Sequence, residues 1–335
     1  MSAGPNWGRG TGLAWWDRNF REISVAGVLL ALLGLMAILA PNFYEPQPLL
    51  SRLTSAAPRL LIAGGVALVI LIRQIDISVG SVFAFASVLA GSLLARGWPM
   101  PVVMPMAILA GSVAGAINGG LVAGLGLPSI VVTLATLVTL REALRLVQQG
   151  VFINLPDTAQ WFGGEMSAGQ LVICGVVLVL WTVMALGLRQ VTIGRYLYAV
   201  GSDAEAARLA GLRPRWLTFW TFVLLGGITG LAAILSLVQG PQVDPATGRQ
   251  LELETIAAAV VGGMAISGGR GSLWGVLAGF LLLTCVGPAL TYLGIKPFWD
   301  KAIQGAVILL AVVADGWRQR NTLGTRVVRR GSGPS

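Results

Sequence analysis

Residues 99–140 read PMPVVMPMAILAGSVAGAINGGLVAGLGLPSIVVTLATLVTL and contain no charged side chain. A helix that spans a membrane needs about 20 predominantly apolar residues, so this run is too long for one span. Gly126-Leu127-Pro128 divides it, because proline suits the first turn of a new helix. The stretch therefore predicts two consecutive membrane helices.

The rest of the chain has the same apolar character. Of its 335 residues, 55% are hydrophobic and 11% are charged, whereas soluble domains carry about 25% charged residues. A soluble globule could not cover this much apolar surface with so few charges, and the same composition excludes intrinsic disorder. Since the apolar runs have the length of membrane helices, we predict an all-α integral membrane protein.

Eight further apolar segments complete a prediction of about ten transmembrane helices. The second of these is short unless it extends back through Thr54, with Arg59 snorkelling to the interface. In chain order the spans are 23–40, 54–72, 77–95, the two halves of 99–140, 170–188, 216–238, 255–266, 273–295 and 301–314.

The basic residues orient the predicted bundle. Ten spans place both termini on one side, and the loops on that side hold 15 of the 23 lysines and arginines. Cytoplasmic loops of membrane proteins are enriched in these residues, so both termini are expected in the cytoplasm. We divide the chain into a cytoplasmic N-terminal segment (1–22), a transmembrane domain (23–316) and a basic cytoplasmic tail (317–335). The net charge of +9 thus reflects topology, and no nucleic-acid partner is expected.

Several kinds of chemistry are excluded by what the sequence lacks. It has no histidine, which removes His-based catalysis and His-containing zinc sites. Cys174 and Cys285 lie in apolar runs and are interpreted as small core residues. A phosphate-binding P-loop needs lysine followed by serine or threonine, but Lys296 precedes proline and Lys301 precedes alanine. We predict a transport subunit with no enzyme activity, metal or bound cofactor of its own.

Small residues recur at the spacing that lets helices approach closely in a membrane. They are Gly111, Gly115 and Gly119, then Gly226 and Gly230, then Gly275 and Gly279. Residues 268–272, Gly-Gly-Arg-Gly-Ser, are interpreted as a tight turn between two helices.

The central basic loop, residues 189–215, contains a predicted short helix. Ser202 with Glu205 three residues later has the spacing of a capping box, and Gly211 suits the helix end. The alanine-rich face between them fits either a groove on a partner or plain solvent exposure; the loop alone leaves both open.

This loop resembles that of a known family. Glu205-Ala206-Ala207-x-x-x-Gly211 is similar to the EAA loop of bacterial ABC importer permeases, and Gly194-Arg195-x-x-Tyr198-Ala199-x-Gly201 resembles the ribose-type branch. Three further stretches are similar to the same branch: residues 75–81, 267–275 and 298–315. The resemblance implies a type II-like permease architecture and assigns coupling to the ATPase to Gly194, Arg195, Gly201, Glu205, Ala206, Ala207, Arg208 and Gly211.

The resemblance also implies partners. They are a cytoplasmic ATP-binding subunit that uses ATP and Mg, a second permease subunit, identical or paralogous, and an extracytoplasmic solute-binding protein. The expected location is the bacterial cytoplasmic (inner) membrane, with multiple passes. The nearest branch members import ribose, rhamnose or autoinducer-2, so a small sugar or sugar-like solute is expected.

Six polar residues near membrane depth are candidates to line the pathway: Asp76, Ser78, Asn118, Thr133, Thr136 and Thr139. The threonines recur every three residues and so lie near one helix face. Alternatively, their hydroxyls bond carbonyls of their own helix. Asp76 is interpreted as an ion-pair partner of Arg73.

Two other functions remain. An ion-coupled secondary transporter of a small polar solute would need an embedded ionisable relay, and no convincing one is seen. A structural membrane subunit would have a dry, packed interior. Six charged residues either receive the binding protein or belong to ordinary solvated loops: Arg141, Glu142, Arg145, Asp244, Glu252 and Glu254.

Overall fold

The computed structural model describes residues 11–163, 166–295, 299, 302–303, 305–306 and 309. Over these ranges the chain forms eleven α-helices: α1 Thr11–Leu39, α2 Pro46–Leu71, α3 Val79–Ala95, α4 Met100–Gly119, α5 Ser129–Gln148, α6 Met166–Gln190, α7 Thr192–Ser202, α8 Ala204–Leu209, α9 Pro214–Leu237, α10 Leu251–Val261 and α11 Leu273–Tyr292. A π-helical turn, Gly120–Gly124, continues α4, and 3-10 turns cover Pro41–Tyr44 and Asp157–Gly163. Two short antiparallel strands, β1 Ile153–Asn154 and β2 Gln242–Val243, pair Ile153 with Val243.

The membrane character of the chain is confirmed. Within the described ranges, six helices are long and apolar enough to cross a membrane: α1 from Glu22, α2, α4 with its π-helical turn, α6, α9 and α11. Nine of the predicted spans overlap helices, and the tenth, 301–314, lies largely outside the described residues. The count of ten and the cytoplasmic placement of both ends stay predictions. The basic tail, 317–335, also lies outside the described residues.

Three helix bounds differ from the sequence prediction. Helix α1 begins at Thr11, so it takes up part of the predicted N-terminal segment. Helix α2 begins at Pro46, and Arg59 pairs with Glu254 at 2.8 Å; its snorkelling to the interface stays a prediction. Helix α5 continues to Gln148, well past Leu140.

The core of the bundle is built around α2 and α9. Ile62, Val66 and Val69 of α2 are fully buried, and α2 packs against α6, α9, α10 and α11. Helix α6 instead exposes a row of apolar side chains, including Leu178 and Val179. Apolar exposure of this kind suits a helix that faces lipid.

Helices α4 and α9 are in backbone contact, as their small residues predict. A Cβ on Gly111 would overlap the carbonyl oxygen of Gly226, and one on Gly115 would overlap that of Phe222. Residue numbers rise along α4 as they fall along α9, so the helices run antiparallel. Helices α10 and α11 approach in the same way at Gly275, confirming the prediction of close packing.

Two non-helical stretches interrupt the bundle. The first linker, Ile72–Ser78, precedes α3, and the second linker, Val238–Gln250, precedes α10. At 1.5 Å per residue, α3 and α10 rise only about 25 and 16 Å, less than the roughly 30 Å hydrocarbon core. Their starts meet, because a Cβ on Gly80 of α3 would overlap the Glu252 carboxylate of α10. The two linkers therefore lead to one junction, where the starts of α3 and α10 meet.

We expect Gly115→Ala to destabilise the protein by about 1–3 kcal/mol, the usual cost of overpacking a tight interface. The matched control is Gly120→Ala, whose added Cβ meets nothing within 4 Å. Thermal unfolding of the purified chain in detergent measures both. Equal stability of the two variants would contradict the described α4–α9 contact.

Candidate functional site

One end of the bundle carries α7 and α8, which contain most of the residues predicted to contact the ATPase; we name this segment the coupling element. The turn at Val191 leads from α6 into α7, and Gly194 allows that corner, since a Cβ there would overlap the Leu188 carbonyl. Helix α7 buries Leu197 and Val200 and exposes Arg195. Helix α8 buries only Ala207 and leaves the apolar Leu209 77% exposed. The element thus presents a short, largely uncovered helix.

The start of α8 is capped by Asp203, so the prediction of Ser202 as the cap is wrong. Ser202 ends α7, and Asp203 Oδ1 accepts the N–H groups of Glu205 and Ala206 at 2.9 and 3.0 Å. These hydrogen bonds, that of Ala206 first, lower the pKa of Asp203 from 3.8. A carboxylate satisfies the open amides of a helix start better than a hydroxyl, because it is charged.

The exposed face of α8 carries an ion pair. Arg208 Nη2 lies 2.6 Å from Glu205 Oε1. The hydrogen bond from Arg208 lowers the pKa of Glu205, and the same contact raises the pKa of Arg208. Both side chains are solvent-exposed, so the pair orders the helix surface and contributes little to stability.

Gly211 ends α8, as predicted. Its φ is +86°, a left-handed conformation that suits glycine. The N–H groups of Gly211 and Leu212 donate to the carbonyls of Arg208 and Ala207, each at 3.0 Å, which is the Schellman pattern. With both ends capped, α8 is well defined although it has only six residues.

Arg73 fastens the coupling element to α2. Its Nε donates to the Gly201 carbonyl at 2.6 Å, and its Nη2 donates to the Ser202 carbonyl. The predicted Arg73–Asp76 ion pair is therefore wrong. Arg73 takes a left-handed φ of +61°, and its side chain satisfies the open carbonyls at the end of α7. Arg73 is separated from Gly201 and Ser202 by 128 and 129 positions in the sequence, so no local pattern signals the contact.

A glycine turn, Gly262–Ser272, holds the same junction from the other side. The N–H of Gly269 donates to the Leu71 carbonyl at 2.8 Å, and the Tyr198 hydroxyl donates to the Gly271 carbonyl at 2.8 Å. Burial raises the pKa of Tyr198, which keeps this donor protonated. The prediction of a tight turn at residues 268–272 is confirmed.

Gly201 lies at the centre of this junction. A Cβ there would overlap the Leu71 carbonyl oxygen and stand 2.7 Å from the Gly269 nitrogen. The end of α7, the end of α2 and the glycine turn are thus joined through backbone groups with no room for a side chain. A displacement of α8 would be passed to α2 and to the α10–α11 corner.

Five of the six polar candidates come together around the first linker. Asn118 Nδ2 donates to Ser78 Oγ at 2.9 Å, Thr136 Oγ1 donates to Asn118 Oδ1 at 2.6 Å, and Ser78 Oγ donates to Asp76 Oδ1 at 2.6 Å. Thr133 accepts the Ile77 N–H at 3.2 Å. Thr139 lies apart and is exposed.

The cluster is closed in this conformation. Asp76, Ser78, Asn118 and Thr133 are buried. Thr133 also donates to the Ser129 carbonyl of its own helix at 2.9 Å, which fits the alternative interpretation of the threonines. Their role in lining the pathway stays a prediction. What the contacts show is that Thr133 supplies a hydrogen-bond partner to the non-helical backbone of the first linker.

Arg141 holds the second linker, a role that sequence analysis missed. Its Nη1 and Nη2 donate to the Thr247 and Gly248 carbonyls at 3.0 and 3.1 Å. Asp244 accepts the Ala246 N–H at 2.7 Å within the same linker. Over the described ranges, no group of three or more His, Cys, Asp or Glu side chains could hold a metal ion.

Comparison with known proteins identifies the family. Residues 49–312 match the family described as branched-chain amino acid transport system / permease component. The chain belongs to this family. No solved structure matches it.

The chain is also similar to curated permeases. It is 34% identical over 300 residues to the autoinducer 2 import system permease protein LsrC of Photorhabdus luminescens, covering 89% of this chain and 91% of that protein. Its identity to LsrC of Enterobacter sp. strain 638 is 36% over 297 residues, with 88% and 87% covered. For LsrC of Escherichia coli O157:H7 the identity is 35% over 300 residues, with 89% and 88% covered.

These similarities confirm the resemblance seen in the sequence. The chain is a multi-pass inner-membrane permease subunit of an ABC importer, and thus a transport component. Partners of such an importer include an ATPase and a solute-binding protein.

Proposed function

We propose that this permease carries a small, neutral, sugar-like solute of the autoinducer-2, rhamnose or ribose class, with autoinducer-2 the first candidate. The similarity over 89% of the chain to permeases named for autoinducer 2 import carries this proposal. The buried polar cluster around Asn118 supports it, since hydroxyl and amide groups suit a polyol. Ion-coupled transport, the alternative that the sequence leaves, is disfavoured because the relatives and the family are those of an ABC importer permease.

We further propose that α8 is the coupling helix that docks on the cytoplasmic ATP-binding subunit. The exposure of Ala204, Glu205 and Leu209 leaves it free to enter a groove, and its two caps keep it helical without a partner. This assignment puts Arg195, Glu205, Ala206 and Arg208 at or near the contact. Gly194, Gly201 and Gly211 give the element its shape.

The mechanism follows from the attachment of the coupling element. Closure of the ATPase subunits on ATP would displace α8, and α7 would pass that displacement through Arg73 and the glycine turn to α2 and α10. The transporter would have two arrangements of its helices, and ATP would favour the one to which it binds more tightly. A ligand shifts such an equilibrium only because its affinities for the two states differ. A second permease, identical or paralogous, would complete the pathway.

The same proposal includes the architecture of the subunit, which is a type II-like permease with ten spans and two cytoplasmic termini.

Uptake by the complex in proteoliposomes tests the function directly. We expect import of autoinducer-2 or ribose to require ATP and the solute-binding protein and to be insensitive to a protonophore. Leucine is the control solute, because the family description names branched-chain amino acids. Uptake by the permease alone that a protonophore abolishes would support the ion-coupled alternative. Import of leucine with neither sugar-like solute carried would overturn the proposed solute class.

Two substitutions test coupling. Glu205→Arg replaces the ion pair with Arg208 by repulsion, and Gly211→Asp forces a side chain into a left-handed position. We expect each variant to insert normally but to lose most ATP-driven uptake, because docking of α8 is disturbed. ATP hydrolysis and uptake are measured together.

Asp157→Arg is the matched control, a charge reversal at an exposed position away from the coupling element. It should leave the ratio of solute imported to ATP hydrolysed unchanged. If Glu205→Arg and Gly211→Asp also transport at the full rate, α8 is not the coupling helix.

A further inference from the structure

A cavity of about 880 Å³ lies where the end of α5 faces the second linker. Its lining includes Arg141, Arg145 and Gln148 from α5, and Arg249 and Glu252 from the linker and the start of α10. Helix α10 runs from this cavity to the glycine turn, about 16 Å away. The cavity is therefore on the far side of α10 from the coupling element. Its volume is in the range of small-molecule sites, roughly 300–1,000 Å³.

Two residues of this lining each carry a buried polar atom that lacks a hydrogen-bond partner within the described part of the chain and that a side-chain rotation would turn into the cavity. The two atoms are Glu252 Oε2 and Gln148 Nε2. An unpaired buried polar atom costs about 1–3 kcal/mol, so a native protein seldom keeps one without a use. One atom accepts a hydrogen bond and the other donates one. A hydroxyl group can do both.

The charges around the cavity favour a neutral molecule. The guanidinium of Arg141 is held by the Thr247 and Gly248 carbonyls, and Arg145 lies 3.5 Å from Glu142. This leaves Arg249 and Glu252 as opposite charges. With Glu142 and Glu252 set against Arg141, Arg145 and Arg249, either a cation or an anion would meet like charges on part of the lining. A polyol meets neither repulsion.

The start of α10 adds donors at the cavity. The first amides of a helix have no partner within it, and Gln250, which lines the cavity, does not cap α10 with its side chain. The Glu252 carboxylate lies against Gly80, where the starts of α3 and α10 meet. Small shifts of α10 would therefore change which polar groups the cavity offers.

We propose that this cavity is a solute-binding site of the permease that takes a neutral polyhydroxylated molecule. A solute hydroxyl would donate to Glu252 Oε2, and a second hydroxyl would accept from Gln148 Nε2 after small side-chain rotations. The proposal rests on the proposed function, since it places the imported solute. Because the other end of α10 is held at the coupling element, displacement of α8 would alter this site.

Thiol protection tests the site without relying on transport. Ala246 lines the cavity, and Ala246→Cys is introduced after Cys174 and Cys285 have been replaced by alanine. The rate at which a soluble maleimide labels this cysteine in the assembled complex is measured in the presence of ribose, autoinducer-2 or ribose 5-phosphate. A neutral solute at ten times its Kd should slow labelling about tenfold, whereas ribose 5-phosphate should not protect. Thr158→Cys, exposed elsewhere, reports non-specific effects.

A second substitution, added to Ala246→Cys, identifies the side chains that bind the solute. Gln148→Leu and Glu252→Gln should abolish protection of Ala246→Cys. Gln190→Leu and Asp157→Asn make the same kinds of change at exposed positions outside the cavity and should preserve protection.

The outcomes separate this proposal from the proposed function. Failure of the wild-type complex to import either neutral solute with ATP overturns the proposed function. Normal import without protection overturns only the cavity site. Equal protection by ribose 5-phosphate overturns its neutral specificity.

Discussion

Backbone that leaves a helix within a membrane must find its hydrogen-bond partners in the protein, because lipid offers none. Two linkers of this permease meet that constraint differently. Along the first, Ser129 and Thr133 accept the N–H groups of Ile75 and Ile77 at 3.1 and 3.2 Å. Along the second, Arg141 donates to two carbonyls. Thr133, a pathway candidate in the sequence, thus holds the backbone of the first linker in place.

The same requirement explains how the coupling element is attached. The end of α7 leaves carbonyls open, and Arg73 satisfies those of Gly201 and Ser202. Gly269 and Tyr198 complete the junction with hydrogen bonds to the Leu71 and Gly271 carbonyls. Backbone contacts of this kind allow little independent movement, since close-packed interiors transmit strain. The junction therefore ties α7 to the end of α2 and to the glycine turn.

The sequence predicts the membrane character, most helix positions, the glycine contacts and the end of α8, because each depends on local composition or spacing. It misplaces the α8 cap by one residue, since Ser202 and Asp203 are both good caps. It also pairs Arg73 with the nearby Asp76, when the true partners lie 128 and 129 positions away. The cavity by Gln148 is missed because the polar composition of residues 141–148 predicts a loop, while the structure continues α5 through it. Contacts between a side chain and a distant backbone group produce no recurring residue pattern, so they cannot be predicted from the sequence.

We expect α8, the end of α2 and the glycine turn to move as one body. Spin labels at Ala204→Cys and Arg270→Cys, both exposed positions, report this in the assembled complex once Cys174 and Cys285 are replaced. Double electron–electron resonance, with and without ATP, should give an unchanged distance between these two labels and a changed distance from Arg270→Cys to an exposed label at Thr158→Cys. The opposite result would contradict the account: ATP binding changes the distance between the labels at Ala204→Cys and Arg270→Cys, and the distance from Arg270→Cys to Thr158→Cys stays fixed.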